Sequence, residues 1–197
     1  MKLKIIYRKL FITFVCFCIP FIACKQKNAN QIAIDLPYKF KTEKAEYLSV
    51  KAFNFRKEKK YAEAINLYEK AIAIEPDNPK LFFDVSECYG YNNELDKALS
   101  AMDTAIKLDS LNANFYNNRG LIYWRLSKNE NAIRDYKKAI ELGSKSWVVY
   151  YNISIAYYTN NNRTEACKTF KIAKELGLPS EFITNDEILI AIEKSCE

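Results

Sequence analysis

Apolar and small residues return along this chain at a constant spacing. Ala64, Ala98, Ala132 and Ala166 stand 34 residues apart with no insertion between them. Four residues after each comes a large apolar side chain, Tyr68, Met102, Tyr136 or Phe170, and seven after comes Ala71, Ala105, Ala139 or Ala173. Upstream the register is equally strict. Leu48, Phe82, Tyr116 or Tyr150 precedes each alanine by sixteen residues, small Ala52, Ser86, Gly120 or Ser154 by twelve, and aromatic Phe55, Tyr89, Tyr123 or Tyr157 by nine. Each half of the unit therefore carries residues at i, i+4 and i+7, which share one face of an α-helix. The pattern predicts four helix pairs whose contacts are lined with small residues, because closely spaced helix axes leave no room for long side chains. A Leu at Gly120 or Ala132 would overpack that contact, costing about 1–3 kcal/mol.

Turn residues fall in phase with this period. Asn92-Asn93 and Asn160-Asn161-Asn162 separate the two helices of the second and fourth pairs, where Asn tolerates left-handed backbone and caps the following helix. Gly143 and Gly177 follow the second helices of the third and fourth pairs, the place of a left-handed C-terminal cap. Pro79 and Pro179 prevent helix continuation. After Pro179, the segment Asp186 to Lys194 turns Ile188, Leu189 and Ile192 to one side and Glu187 and Glu193 to the other, as a terminal unit with a polar outer face requires.

At these positions the chain resembles the tetratricopeptide repeat, a 34-residue helix-turn-helix unit. Leu48, Phe82 and Tyr116 replace the family's Trp, its Gly survives as Gly120 and its terminal Pro as Pro76. The resemblance implies an all-α, right-handed superhelical solenoid of four repeats, 43–78, 79–112, 113–146 and 147–180, closed by a capping helix over 181–197.

Residues 1–23 carry a basic start (Lys2, Lys4, Arg8, Lys9) and an apolar stretch from Leu10 to Ala23. That stretch is too short for a transmembrane helix, which needs roughly 20 residues, so it reads as a signal peptide. Phe21-Ile22-Ala23-Cys24 resembles a bacterial lipobox, which implies acylation at Cys24 and a lipid anchor. An ordinary secretory signal or a short uncleaved anchor is the alternative. Lys25, where some bacteria use Asp for inner-membrane retention, favours the outer membrane, facing the periplasm or the surface. Residues 24–42 read as a tether with a reach of roughly 20–25 Å; the run Ile32, Ala33, Ile34, Leu36 could instead dock on the first helix.

The formal charge of +6 invites a nucleic-acid partner, but four of the cations lie in the segment expected to be removed, and nucleic acid is excluded. The chain has no histidine, the commonest general base and metal ligand. It shows no phosphate loop, nucleophile elbow, paired-carboxylate motif or zinc spacing. Acidic residues beside lysines, such as Glu69-Lys70 and Asp135 near Lys137 and Lys138, read as solvated helix faces. No enzymatic activity, cofactor or metal is expected. Of six cysteines, Cys16 and Cys18 fall in the signal and Cys24 at the lipid site, while Cys88 reads as a small core residue. Cys167 and Cys196 lie symmetrically about a turn near residues 178–183, so antiparallel helices would face them as a disulfide, the alternative being two buried thiols.

The resemblance implies a concave face lined by the first helices. Carried over position by position, it takes in Phe53, Phe83, Tyr91, Asn117, Asn118, Leu121, Trp124, Tyr151, Asn152 and Tyr158, with Ser49, Arg56, Asp84, Glu87, Arg125 and Ile155 beside them. Aromatic anchors mixed with amides suit an extended peptide or a helix of an envelope partner. Several of the rings could equally seal the core between repeats. The carboxylate clamp of the family's chaperone-binding members is not carried over, since Ser49, Phe53 and Asp84 occupy its Lys and Asn places. The expected function is a membrane-anchored interaction adaptor; the alternative is a structural or self-assembling spacer with no peptide ligand.

Overall fold

The computed structural model describes residues 38–185 and 187–196. Cys24, the signal segment and most of the tether lie outside the described residues. Phe40–Glu197 forms one compact unit. Its described residues hold ten helices and no strand: α1 Glu43–Lys57, α2 Tyr61–Ile74, α3 Pro79–Tyr91, α4 Leu95–Leu108, α5 Ala113–Arg125, α6 Asn129–Glu141, α7 Trp147–Thr159, α8 Arg163–Glu175, α9 Ser180–Asn185 and α10 Glu187–Lys194. Consecutive helices pair as antiparallel hairpins, α1 with α2 through α7 with α8. The hairpins stack through α2 on α3, α4 on α5 and α6 on α7. Neighbouring first helices also touch, α1 with α3 and α5 with α7. The fold is a helical solenoid.

Helix starts and stops follow from local chemistry. Thr42, Asn78, Asn112 and Ser146 cap α1, α3, α5 and α7 by accepting a backbone N–H on their side-chain oxygens, and Pro79 occupies the first turn of α3, where a missing N–H costs nothing. The turn inside each hairpin is a backbone device. Lys59, Asn93, Ser127 and Asn161, 34 residues apart, all take φ near +60°. The next amide donates back to the carbonyl of Phe55, Tyr89, Tyr123 or Tyr157 at 2.9 Å, which satisfies an end carbonyl of the first helix. Gly143 and Gly177 provide the same left-handed stop after α6 and α8. Asn93 and Asn161 thus adopt the expected left-handed geometry, but the capping expected of the asparagine runs is met only by Asn162, which caps α8. No side chain caps α4; Asn92 instead donates to the Glu94 carboxylate.

The four period-setting alanines are fully buried, as are Ala71, Ala105, Ala139 and Ala173. At Gly120 a Cβ would come within 2.7 Å of the Tyr136 ring. Ser86 sits so close to α4 that its hydroxyl donates to the Ala98 carbonyl at 2.7 Å. The core of the last two repeats gathers Ile133, Tyr136, Val149, Ile153 and Tyr157. A second cluster joins Ile155, Phe170 and Leu178 to Leu189 and Ile192 of the cap. The cap is two helical segments, α9 and α10, where the sequence reading had one; α10 packs on α7 and α8. Cys167 is bonded to Cys196, with Cα atoms 5.4 Å apart.

Two carboxylates read as solvated are engaged. Asp135, 4% exposed, accepts two hydrogen bonds from the Arg119 guanidinium, which also reaches Asp103 of the preceding repeat. Glu69 accepts from the Tyr89 hydroxyl at 2.5 Å. Glu69 meets the first helix of the next repeat and Asp135 the first helix of its own, so packing between helices rather than their own helix faces gives them partners.

Candidate functional site

Along the face built by the first helices, side chains sort into three groups. The first is exposed and apolar: Phe53 on α1, Tyr91 at the end of α3 and Leu121 on α5. The second is absorbed into packing. Trp124 and Tyr158 lie against both core clusters, and Tyr151 packs with Trp147 and Phe182 edge to face. The Phe83 ring stands 5.5 Å from that of buried Phe115. The third group is polar and already engaged, since Asn152 donates to Asn117 of the previous repeat at 3.1 Å and Asn118 donates to the Asn114 carbonyl at 2.9 Å.

A cleft of about 340 Å³ opens between α3 and α5, lined by Ser86, Glu87, Gly90, Tyr91, Met102, Asn118, Leu121, Ile122 and Arg125. Met102 and Ile122 are buried side chains of its lining, whereas Leu121 and Tyr91 are exposed. Arg125 reaches from the end of α5 to the end of α3, donating to the Gly90 carbonyl at 2.6 Å, which also accepts the Asn93 amide, and so places its charge at a negative helix terminus. Gly90 has no steric reason to be glycine. Its Cβ would meet only the Arg125 guanidinium, at 3.5 Å, and its backbone is helical.

Charge on this face is mutually compensated. Arg56 pairs with Glu87 across the first two repeats and stacks over the Phe53 ring at 5.0 Å, and Lys80 pairs with buried Asp84 one turn along α3. Burial pushes both acidic groups above the ordinary carboxylate range, with Arg56 opposing the shift at Glu87 and Lys80 at Asp84. Burial likewise pushes the neighbouring Cys88 thiol up to about 12, which leaves it unreactive. This charged cluster is a bridge between the first two repeats.

Of the ten residues read from the sequence, the cleft brings together Tyr91, Asn118 and Leu121. Phe53 stands exposed outside it, and the other six serve largely as packing or inter-repeat hydrogen bonds. Ser49, Asp84 and Ile155, placed beside the groove by register, are buried. Position alone overlooked Gly90, although a second helical glycine off the small-residue register is a signal visible in the sequence.

A family model described as tetratricopeptide repeat matches residues 55–117, and a second of the same description matches residues 113–145. Among solved structures the chain is similar to MamA, at 24% identity over 72% of this chain and 81% of that one, with a TM-score of 0.63. It is also similar to the first TPR of Spaghetti (RPAP3) bound to the HSP90 peptide SRMEEVD, at 27% identity over 60% and 94%, TM-score 0.58. A third likeness is to the Sgt2 TPR domain from Aspergillus fumigatus, at 21% identity over 62% and 83%, TM-score 0.59. No curated protein sequence matches the chain.

Proposed function

Because this chain is a tetratricopeptide-repeat protein, we propose that it works as a lipid-anchored interaction adaptor of the cell envelope, tethered through Cys24 and holding a segment of a protein partner against its first helices. The observation that carries the reading is the cleft between α3 and α5, where exposed Leu121 and Tyr91 flank an apolar lining that no side chain of this protein fills. Burying one apolar side chain there would contribute about 1.5–3 kcal/mol, the scale of an interface anchor. The Spaghetti neighbour, bound to an HSP90 peptide, supports peptide binding on this fold. A carboxylate-terminated ligand fits this chain poorly, since buried Asp84 stands at a clamp position and its charge is already paired with Lys80.

End-to-end self-assembly is disfavoured by the first helix. Where α3 buries Leu81, Val85 and Cys88 against the preceding repeat, α1 presents Tyr47, Lys51 and Asn54 to solvent at the equivalent positions. Lys51 and Asn54 would be costly to bury unpaired.

Trp124 and Tyr158 are poor test positions, because truncating them would unseat the core. A photocrosslinking residue at Leu121 or Tyr91 of the full chain, expressed in its own cells, should give a discrete protein adduct, and one at Lys97 on the second-helix side should not. Equal adducts at all three positions, or none, would remove the adaptor reading. Globomycin-sensitive maturation and outer-membrane fractionation, both lost in Cys24→Ser, test the anchor.

A further inference from the structure

The second helices reverse charge halfway along the solenoid. Two and five residues after the period-setting alanine, α2 carries Asn66 and Glu69 and α4 carries Ser100 and Asp103. At the same positions α6 carries Arg134 and Lys137, and α8 carries Lys168 and Lys171. All eight are exposed. Residues 113–180 hold 11 Lys and Arg against 5 Asp and Glu, while residues 43–112 hold 10 against 13. Since the repeats are structurally equivalent, these positions lie on corresponding faces of α6 and α8.

Lys138 and Lys174 add to this face. Its internal compensation is partial, with Glu130 and Glu175 also exposed on α6 and α8. Glu141 lies 3.2 Å from Lys138, Glu165 3.9 Å from Lys168 and Glu193 2.7 Å from Lys174. Among the described residues Arg134, Lys137 and Lys171 enter no ion pair, and Lys137 rests over the Tyr157 ring at 5.7 Å. These three cations, on two neighbouring helices, are left to an anionic counter-surface.

We propose that the outer face of α6 and α8 binds a membrane surface through anionic lipid headgroups. Five of the six cations are lysines, compact point charges on flexible stems, and not the planar forks that grip one carboxylate or phosphate in fixed geometry. All are exposed and spread over two helices, an arrangement matched by a fluid sheet of phosphates more than by one shaped acidic ligand. Exposed Leu176, at the end of α8 beside Lys174, offers an apolar contact at the same surface. This face lies on the second helices, away from the cleft, so the inference stands independently of the peptide-binding reading.

The compact unit Phe40–Glu197 contains the ten helices of the described residues and the two core clusters named above, and serves as the test protein without any acyl chain. Co-sedimentation with phosphatidylcholine vesicles, with and without phosphatidylglycerol, should show binding only to the anionic vesicles, weakening as salt is added. Each basic residue near such a surface is worth about fivefold in affinity, so Lys137→Gln with Lys171→Gln should weaken binding roughly 25-fold. The charge-matched pair Lys70→Gln with Lys107→Gln should leave it within about threefold. Equal binding to both vesicle types, no binding, or an unaffected Lys137/Lys171 double variant would overturn the proposal. So would polyglutamate bound more tightly than the vesicles, which would make the partner an acidic protein.

Discussion

Two glycines in equivalent first helices should respond to the same substitution with opposite signs. Alanine is favoured over glycine inside a helix by about 0.8–1 kcal/mol, and both Gly90 and Gly120 lie within helices. At Gly90 the new methyl meets only the Arg125 guanidinium at 3.5 Å, an ordinary contact, so Gly90→Ala should stabilise by about 0.5–1 kcal/mol. At Gly120 it comes within 2.7, 2.9 and 3.1 Å of three atoms of the Tyr136 ring, which is 1% exposed and clustered with Val149 and Ile153. Something must move. The first repeat shows that the pairing exists in principle, since fully buried Ala52 and Tyr68 occupy the equivalent positions there. Relief at Gly120 therefore requires a ring shift and not unfolding, which places the overpacking cost in the range of about 1–3 kcal/mol. After the helix gain is subtracted, Gly120→Ala should destabilise by about 0–2 kcal/mol, and the two variants should differ by about 1–3 kcal/mol. Urea unfolding followed by far-UV circular dichroism, with an unchanged denaturant slope, measures both. If Gly120→Ala gains as much as Gly90→Ala, the assigned helix contact is wrong.

Glu75, 2% exposed, accepts hydrogen bonds from the Lys41 and Thr42 amides and from the Thr42 and Asn78 side chains, tying the start of α1 to the end of α2. Burial alone would raise its pKa, but the bonds from Asn78, Thr42 and Lys41 outweigh it and hold the carboxyl below the ordinary range. Its folded value thus lies below the unfolded value of ~4.3, so its contribution is complete above that pH and lost as pH falls through the lowered value. Glu75→Gln should cost about 1–3 kcal/mol near neutrality, and the deficit should shrink in urea titrations as the pH drops below ~4. Ser127 holds a left-handed conformation that disfavours a side chain, so Ser127→Gly should stabilise by roughly 0.5–1 kcal/mol; an unchanged urea midpoint would contradict the turn assignment. Breaking the Cys167–Cys196 bond opens a link spanning 29 residues and should cost ~3–4 kcal/mol, read as earlier exposure of the cap to proteolysis in the Cys196→Ser variant.

The 34-residue period made the scaffold legible from sequence alone, because a helix pair stacks in only one register when its small contacts recur at fixed offsets. Ala64, Ala98, Ala132 and Ala166 specify that register, and the buried alanines meet it. Gly143 and Gly177 were equally readable, since a left-handed stop favours glycine in a way that composition reveals. Lys59 and Ser127 take the same left-handed backbone without any such signal, because the hairpin imposes the turn whatever residue occupies it.

What the first-helix face offers a ligand was decided by tertiary structure. Repeat position distinguishes the face that looks outward from the one that looks into the pair, but not an open ring from one pressed on the next repeat. Leu121 and Trp124 lie three residues apart on α5, and only the placement of α7 leaves the first exposed and packs the second against the core. The same holds for charge, where Asp135 reads as solvated along its own helix but is buried in the packed structure and paired with Arg119 of α5. Periodicity along one chain encodes which residues share a helix face; distances between helices, set by how all the side chains fill the space, determine which of them remain free to bind.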